Sequence, residues 1–160
     1  MPHKPEIVLL FDTGPLQLGA PRLAHLALWI AHTRRAELVG ARLLWGSVQR
    51  LLERCENSAD AAQAQGEWLN TRVDAMALDE LAHARSPSIL DAKAIARLSP
   101  ILTAYAGAEF WWIGAALDAG SFDLLGLLPQ EIRQKFRRIK IETSRGFQIK
   151  QNRGGYQSKP

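Results

Sequence analysis

The chain of 160 residues contains a single cysteine, Cys55. One cysteine excludes an internal disulfide and any zinc site built from several thiolates. The longest apolar runs, such as residues 110–117, are well below the roughly 18 residues that a membrane-spanning helix requires. The sequence has no glycine-rich phosphate loop, no Gly-x-Ser-x-Gly elbow and no zinc-binding spacing, and its first residues do not read as a signal peptide. We therefore expect a protein of the reducing cytoplasm without a membrane segment, cofactor or bound metal.

Positive charge is concentrated near the C-terminal end. The whole chain has a formal net charge of +4. Residues 131–160 hold nine basic and two acidic side chains, a net +7, whereas the preceding 130 residues hold 11 basic and 14 acidic ones, a net −3. Such an asymmetry predicts an acidic partner for the C-terminal end. The apolar fraction of 47% is ordinary for one globular domain.

Apolar spacing of three and four residues dominates the chain and predicts a mainly α fold, a bundle of about five helices. The helical patterns cover about residues 21–55 (with or without a break at 33–35), 60–84, 88–98, 100–119 and 129–138. Residues 5–11 are predicted as a short buried strand. Alternation before and after Ser144-Arg145-Gly146 predicts a β-hairpin over about residues 138–151, which could pair with that strand. The predicted organisation is a single helical domain, residues 1–151, followed by a flexible basic tail, residues 152–160.

The basic hairpin is the feature most indicative of function. In a simple register, Arg138 and Lys140 share a face with Lys150. Cations along a narrow ribbon neutralise phosphates and release counterions, and such a ribbon has the width of the DNA major groove. We therefore predict a non-enzymatic DNA- or RNA-binding factor, or a subunit of a nucleoprotein assembly. The predicted nucleic-acid-binding residues are Arg133, Arg137, Arg138, Lys140, Arg145, Lys150 and Arg153.

A second interpretation is a protein-interaction module, an adaptor or inhibitor that docks its basic ribbon on an acidic protein. A solvated cationic face has the same composition. Adjacent Trp111 and Trp112 would project about 100° apart on the predicted helix. Either that helix is enclosed or one ring contacts a partner, so both tryptophans are candidate interface residues.

The segment Ile-Val-Leu-Leu-Phe-Asp-Thr-Gly-Pro-Leu, residues 7–16, resembles the opening of a PIN-domain nuclease. In that family an aspartate at the end of the first strand binds a divalent metal, which at the matching position is Asp12. A third hypothesis is accordingly a metal-dependent nuclease or hydrolase using Asp12 with Glu37 or Asp79. The family alternates strands and helices, whereas the pattern here predicts helix upon helix. The interpretation adopted for Asp12 is therefore a turn-initiating residue.

Other candidate metal ligands are isolated. Glu80 and His83 have the spacing used in di-iron carboxylate bundles, but a second pair is absent, so an exposed ion-pair face is predicted. His25 and His32 lie seven residues apart on the first predicted helix and are expected at the edge of the core. Cys55 has no neighbouring histidine and is predicted as a small core side chain.

Overall fold

The computed structural model describes residues 4–57, 68–86, 90–105, 107–115, 118–119, 122–142 and 148–153. Side chains are described in these ranges except at residues 16, 55–57, 118–119, 122–124, 142 and 148–153. The strands are β1 (Glu6–Phe11), β2 (Arg42–Ser47), β3 (Glu109–Gly114), β4 (Asp118–Ala119), β5 (Phe122–Asp123), β6 (Phe136–Glu142) and β7 (Gln148–Arg153). The helices are α1 (Ala20–Val39), α2 (Val48–Asn57), α3 (Ala75–His83), α4 (Ala92–Thr103) and α5 (Gln130–Arg133).

The architecture is a five-stranded sheet in the order β2-β1-β3-β6-β7. The first four of these strands are parallel, and β7 pairs antiparallel with β6. The short strands β4 and β5 form a separate two-stranded sheet. We call the edge at which the parallel strands end the carboxyl edge, and the opposite one the amino edge. Helices cover both faces, so this is an α/β fold.

The expectation of a mainly α helical bundle is therefore wrong. Residues 42–47 and 109–114 were included in predicted helices, but both form central parallel strands. Parallel strands buried on both faces have continuous apolar runs without a two-residue period, which resemble buried helix in sequence. The predicted N-terminal strand matches β1. The predicted hairpin matches β6 and β7, but β6 pairs with β3 rather than β1.

Two apolar clusters fill the space on either side of the sheet. On one face α1 and α3 pack over alternate residues of β1, including Ile7 and Leu9. On the other face α2, α4 and α5 pack over the intervening residues, including Val8 and Leu10. All four of these β1 side chains are at most 2% exposed. Burial on both faces explains why β1 is apolar at every position after Glu6.

Trp111 and Trp112 lie on β3, where successive side chains point to opposite faces of the sheet. Trp111 belongs to the cluster under α1 and Trp112 to the cluster under α4. They are 5% and 1% exposed, respectively. The predicted helix over residues 100–119 is wrong at these positions, and both rings stabilise the core of this chain.

Local signals explain several element boundaries. Asp74 and Asp91 cap α3 and α4, because their carboxylates accept from the amides of Ala77 at 2.9 Å and Ala94 at 2.8 Å. Helix α1 ends at Val39, and its C-cap residue Gly40 has a positive φ of 69°, which suits glycine. Among the described residues, no helix is both long and apolar enough to cross a membrane.

Candidate functional site

The hairpin divides the predicted nucleic-acid-binding residues between two faces of the sheet. Lys140 is directly opposite Lys150, and Arg138 is two residues before Lys140 on the same strand. These three positions therefore share one face, as the alternation predicted. Arg137 is opposite Arg153, and this pair shares the other face. The predicted cations on β6 and β7 thus do not form one continuous row.

The remaining predicted cations are placed as follows. Arg133 ends α5 and is exposed, with its Nη1 donating to the carbonyl oxygen of Gly126 at 3.0 Å. Arg138 and Lys140 are half-buried. Arg145 and residues 154–160 of the predicted tail lie outside the described residues, and the side chains of Lys150 and Arg153 are not described. Their positions on β7 are known from the strand register alone.

A groove of about 440 Å³ lies at the amino edge, where β3 and β6 begin. Three basic side chains surround the carboxylate of Glu109. They are Arg35 from α1, Lys135 just before β6 and Arg137 at the start of β6. The lining residues of the groove are Arg35, Gly107, Ala108, Glu109, Gln134, Lys135 and Arg137. Three basic side chains against one acidic side chain make the groove electropositive. We call it the amino-edge groove.

Glu109 holds the two arginines of the groove. Nη2 of Arg35 donates to both carboxylate oxygens, at 3.0 and 3.1 Å, and Nη1 of Arg137 pairs with Oε1. The guanidinium of Arg137 also lies over the ring of Trp111, 5.4 Å from its centroid. A bound carboxylate and an aromatic ring restrict an arginine side chain. The two arginines of this groove are therefore preorganised.

Two histidines of α1 pack inward, as the spacing predicted for residues at the edge of the core. His32 contacts Trp111, with ring centroids 4.4 Å apart. Burial and then the charge of Arg35 lower the pKa of His32 to about 4. His25 lies against Phe11 and bonds Gln17, and burial followed by the charge of Arg22 lowers its pKa to about 3. Both imidazoles are neutral at pH 7.

A buried polar network occupies the carboxyl edge at the end of β1. Gly14 N and Gln49 Nε2 donate to Oδ1 of Asp12, at 3.0 and 2.6 Å, and Ala115 N donates to Oδ2 at 3.4 Å. Gln49 Oε1 accepts from Thr13 N at 2.9 Å, and the Thr13 hydroxyl lies 2.5 Å from that of Ser47. This network joins the ends of β1, β2 and β3.

The network occupies the topological switch point of the sheet. From β1 the chain proceeds to β2 on one side and later to β3 on the other, so the connections diverge between β1 and β3. In open α/β sheets, ligands bind in the crevice at such a point. A cleft of about 410 Å³ opens beside the carboxyl end of β2, with Ser47, Arg50, Arg54 and Arg85 among its lining residues.

The donor set around Asp12 does not fit a metal ion. The alternation of strands and helices, and the place of Asp12 after β1, agree with what the PIN-domain resemblance implied. However, both carboxylate oxygens accept from N–H groups. Glu37 lies near the end of α1 toward the amino edge, and Asp79 is exposed and pairs with His83. Among the described residues, no three His, Cys, Asp or Glu side chains are close enough to hold a metal.

Glu80 and His83 also contact different residues rather than forming one site. Glu80 pairs with Arg50 at 3.7 Å, while Nδ1 of His83 contacts the carboxylate of Asp79 at 3.2 Å. Both contacts lie on an exposed surface, which agrees with the predicted ion-pair face. The side chain of Cys55 is not described.

Sequence reasoning missed Arg35, Glu109 and Lys135 of the groove, and Gln49 of the network. Arg35 and Lys135 are unremarkable charged residues in helical patterns, and Glu109 was assigned to a helix. The only sequence signal for this site was that Glu109 is a charged residue at the start of an apolar run. Comparisons with protein-family models, curated proteins and solved structures find no match for this chain.

Proposed function

We propose that this protein binds the phosphate backbone of nucleic acid, as a small DNA- or RNA-binding factor or as a subunit of a nucleoprotein assembly. The observation that carries the proposal is the amino-edge groove, where Arg35, Lys135 and Arg137 surround one carboxylate. In the strand register, Arg153 on β7 is opposite Arg137. Phosphate contacts fix position and carry no sequence information, so the proposed binding is independent of sequence. With one cysteine, the proposed location is a reducing cytoplasm.

Preorganisation of the groove supports this proposal. Glu109 fixes two guanidinium groups at one separation, because Arg35 and Arg137 both pair with its carboxylate. A guanidinium offers five N–H donors and binds phosphate oxygens in pairs. Because the side chains are already ordered, binding costs less conformational entropy.

The opposite face of the hairpin adds a second cationic surface. Lys140, Lys150 and Arg138 share that face. A strand of nucleic acid that crosses the outer edge of the sheet could contact both surfaces, because a two-stranded ribbon is only about 5 Å wide between strand axes. We propose that these lysines add sequence-independent contacts.

The proposal is tested with random-sequence single-stranded and duplex oligonucleotides at low salt. Arg35→Ala removes a groove cation, and Arg34→Ala removes the adjacent, exposed cation of the same helix as the matched control. Arg35→Ala is expected to weaken binding to all sequences and to reduce the slope of log affinity against log salt by about one unit. Equal effects of the two variants contradict the placement of the site.

A charge-neutralising variant gives an opposite expectation. Glu109→Gln keeps an acceptor for Arg35 and Arg137 but removes the single negative charge of the groove. Nucleic acid should bind more tightly, with a steeper salt dependence, because electrostatic repulsion of phosphate is lost. Absence of binding by the unaltered protein at low salt would contradict the proposal and favour the interaction module that docks on an acidic protein.

A further inference from the structure

The outer face of α1 is apolar although it faces solvent. Leu23, Ala27 and Ile30 form one outward row at helical spacing, and all three are exposed, Leu23 at 70% and Ile30 at 41%. Arg34, one turn further along, is the first exposed charged residue of the helix. Single exposed apolar side chains are ordinary, but a contiguous apolar row marks a surface that contacts another molecule.

The inner face of the same helix is unusually polar. Its buried residues include Arg22, His25, Trp29 and His32, which follow one another at spacings of three and four. Each has at least one buried side-chain nitrogen without a hydrogen-bond partner among the described residues. A surface helix normally turns its apolar row to the core and its polar row to water. The outer row of α1 therefore resembles a face that is covered in an assembly.

Helix α3 lies beside α1 and runs antiparallel to it. The carbonyl oxygen of Leu81, in the last turn of α3, accepts from Arg22 near the start of α1. The carbonyl oxygen of Arg72, before α3, accepts from the indole of Trp45, whose ring packs on Trp29 further along α1. The end of α3 is therefore at the start of α1, and its beginning is level with the middle of α1.

Charged residues flank the apolar centre of this surface in a definite order. Met76, in the first turn of α3, is 68% exposed and extends the apolar row. Asp79 and then Arg85 follow it toward the start of α1, and both are exposed. Toward the other end of α1, the exposed charged residues are Arg34 and then Glu37. Going outward, one end is thus acidic and then basic, whereas the other is basic and then acidic.

We propose that the outer faces of α1 and α3 form the interface of a symmetric dimer of this chain. In a two-fold pairing with the α1 helices antiparallel, Ala27 of each copy faces Ile30 of the other, so a small side chain meets a large one. A two-fold interface uses the same patch on both copies and must complement itself. The row of exposed apolar residues meets this condition around a centre between Ala27 and Ile30.

The order of the charges selects a second copy as the occupant. The antiparallel pairing brings Arg34 of one copy to Asp79 of the other. It also brings Glu37 to Arg85, because each of these residues lies beyond the first pair. Glu80 is already paired on the side of the cleft. Opposite charges thus meet twice at each end, whereas a uniformly acidic or basic partner would meet a like charge.

The available area predicts a weak dimer. Helix α1 has 20 residues and α3 has nine. At a rise of about 1.5 Å per residue and a width of about 12 Å, their outer faces cover about 500 Å² per copy. Two copies bury about 1,000 Å², the low end for a specific complex. The dimer does not rest on nucleic-acid binding, which is measured at concentrations far below those at which the dimer forms.

Sedimentation velocity of the full chain, without nucleic acid and over increasing protein concentration, tests the dimer. Ile30→Glu should weaken dimerisation more than tenfold, because it buries a charge in an apolar interface. The control is Leu127→Glu, an equally exposed position at 42%, whose neighbours Leu125 and Leu128 pack on the opposite face of the sheet. A chain that stays monomeric at every concentration, or equal losses in the two variants, overturns the proposal.

A charge exchange tests the antiparallel pairing. Arg34→Asp and Asp79→Arg should each weaken the dimer about tenfold, because like charges then meet at both ends. The double variant restores opposite charges and should dimerise like the unaltered chain. Both positions are exposed, so circular dichroism should show that all three variants fold. A double variant that dimerises no better than the single ones overturns the pairing.

Discussion

Gln49, at the start of α2, donates from Nε2 to Oδ1 of Asp12 at 2.6 Å and so joins the end of β1 to the helix after β2. The same side chain accepts from the Thr13 amide. Both residues are buried, at 2% and 6% exposure for Gln49 and Asp12. The side-chain amide of Gln49 thus provides hydrogen-bond partners for two neighbouring residues, Asp12 and Thr13.

Gln49→Ala should therefore lower the free energy of unfolding by about 2–4 kcal/mol, because a buried carboxylate and a backbone amide each lose a partner. The measurement is urea denaturation. Gln130→Ala, at an exposed position on α5, should change stability by less than about 0.5 kcal/mol. A Gln49 variant as stable as the control contradicts the role assigned to the network.

Gly114→Ala should also destabilise the chain. A Cβ at Gly114 would collide with the Cβ of Asp12, whereas one at Gly126 would meet no atom within 4 Å. We expect a loss of about 1–3 kcal/mol for Gly114→Ala, the usual cost of overpacking. Gly126→Ala should be nearly neutral in the same denaturation experiment. If the two variants unfold at the same urea concentration, β1 and β3 do not approach as closely as described.

Trp111 and Trp112 are both predicted to stabilise the folded chain, each on a different face of the sheet. Truncating either to alanine should remove about 3–5 kcal/mol, the range for a large aromatic side chain in a core. Leu38→Ala, at a position that is 87% exposed, provides the control and should have little effect. Chemical denaturation measures the loss. A tryptophan variant that keeps full stability but loses self-association would instead support a role in partner contact.

Stability should fall as the solution becomes acidic. The pKa of His25 is lowered to about 3 and that of His32 to about 4, from a reference value of 6.5. Below about pH 6.5 the unfolded chain binds protons that the folded chain excludes, so the free energy of unfolding decreases with decreasing pH. Each histidine contributes at most ~1.4 kcal/mol per pH unit, and the contribution is complete above about pH 7.

Urea denaturation between about pH 7 and pH 5 measures this slope. His25→Gln removes one titrating group and should flatten the dependence, whatever it does to absolute stability. His83→Gln makes the same change at a side chain that is 71% exposed and is the control for the effect of the substitution on absolute stability. An unchanged slope in the His25 variant is the result that opposes this explanation.

Truncation before residue 139 should prevent folding. In a helical bundle, the basic end could be removed without loss of the core. However, β6 pairs with β3 from Phe136 to Lys140, and Ile139 and Ile141 are buried. Circular dichroism of a chain ending at residue 138 should show loss of the cooperative transition. A cooperative, helical fragment would show that the hairpin is separable after all.

The sequence predicted the elements whose local pattern is distinctive. β1 is bounded by Pro5 and by Asp12-Thr13-Gly14. In β6, apolar and charged residues alternate, and Ile139 and Ile141 are buried whereas Arg138 and Lys140 are half-buried. The segments around Trp45 and Trp111 gave no such signal. Each is apolar at consecutive positions, so burial on both faces concealed the strand period.

The site depends on pairings between distant segments, which explains why it was not predicted. Arg35 and Glu109 are 74 residues apart and meet only because β3 lies between β1 and β6. Asp12 and Gln49 meet because two parallel strands end at one edge. The cations of the hairpin could be identified in sequence, but their division between two faces follows from the register.

The contact between Trp45 and Asn70 has a consequence for solubility. Each residue donates its amide to the carbonyl oxygen of the other, at 3.0 and 2.7 Å, along the outer side of β2. An outer strand with unsatisfied amides and carbonyls is a template on which a second molecule can add a strand and begin aggregation. Asn70 occupies the middle of that template, so β2 cannot recruit a full-length strand from a neighbouring molecule without first displacing it.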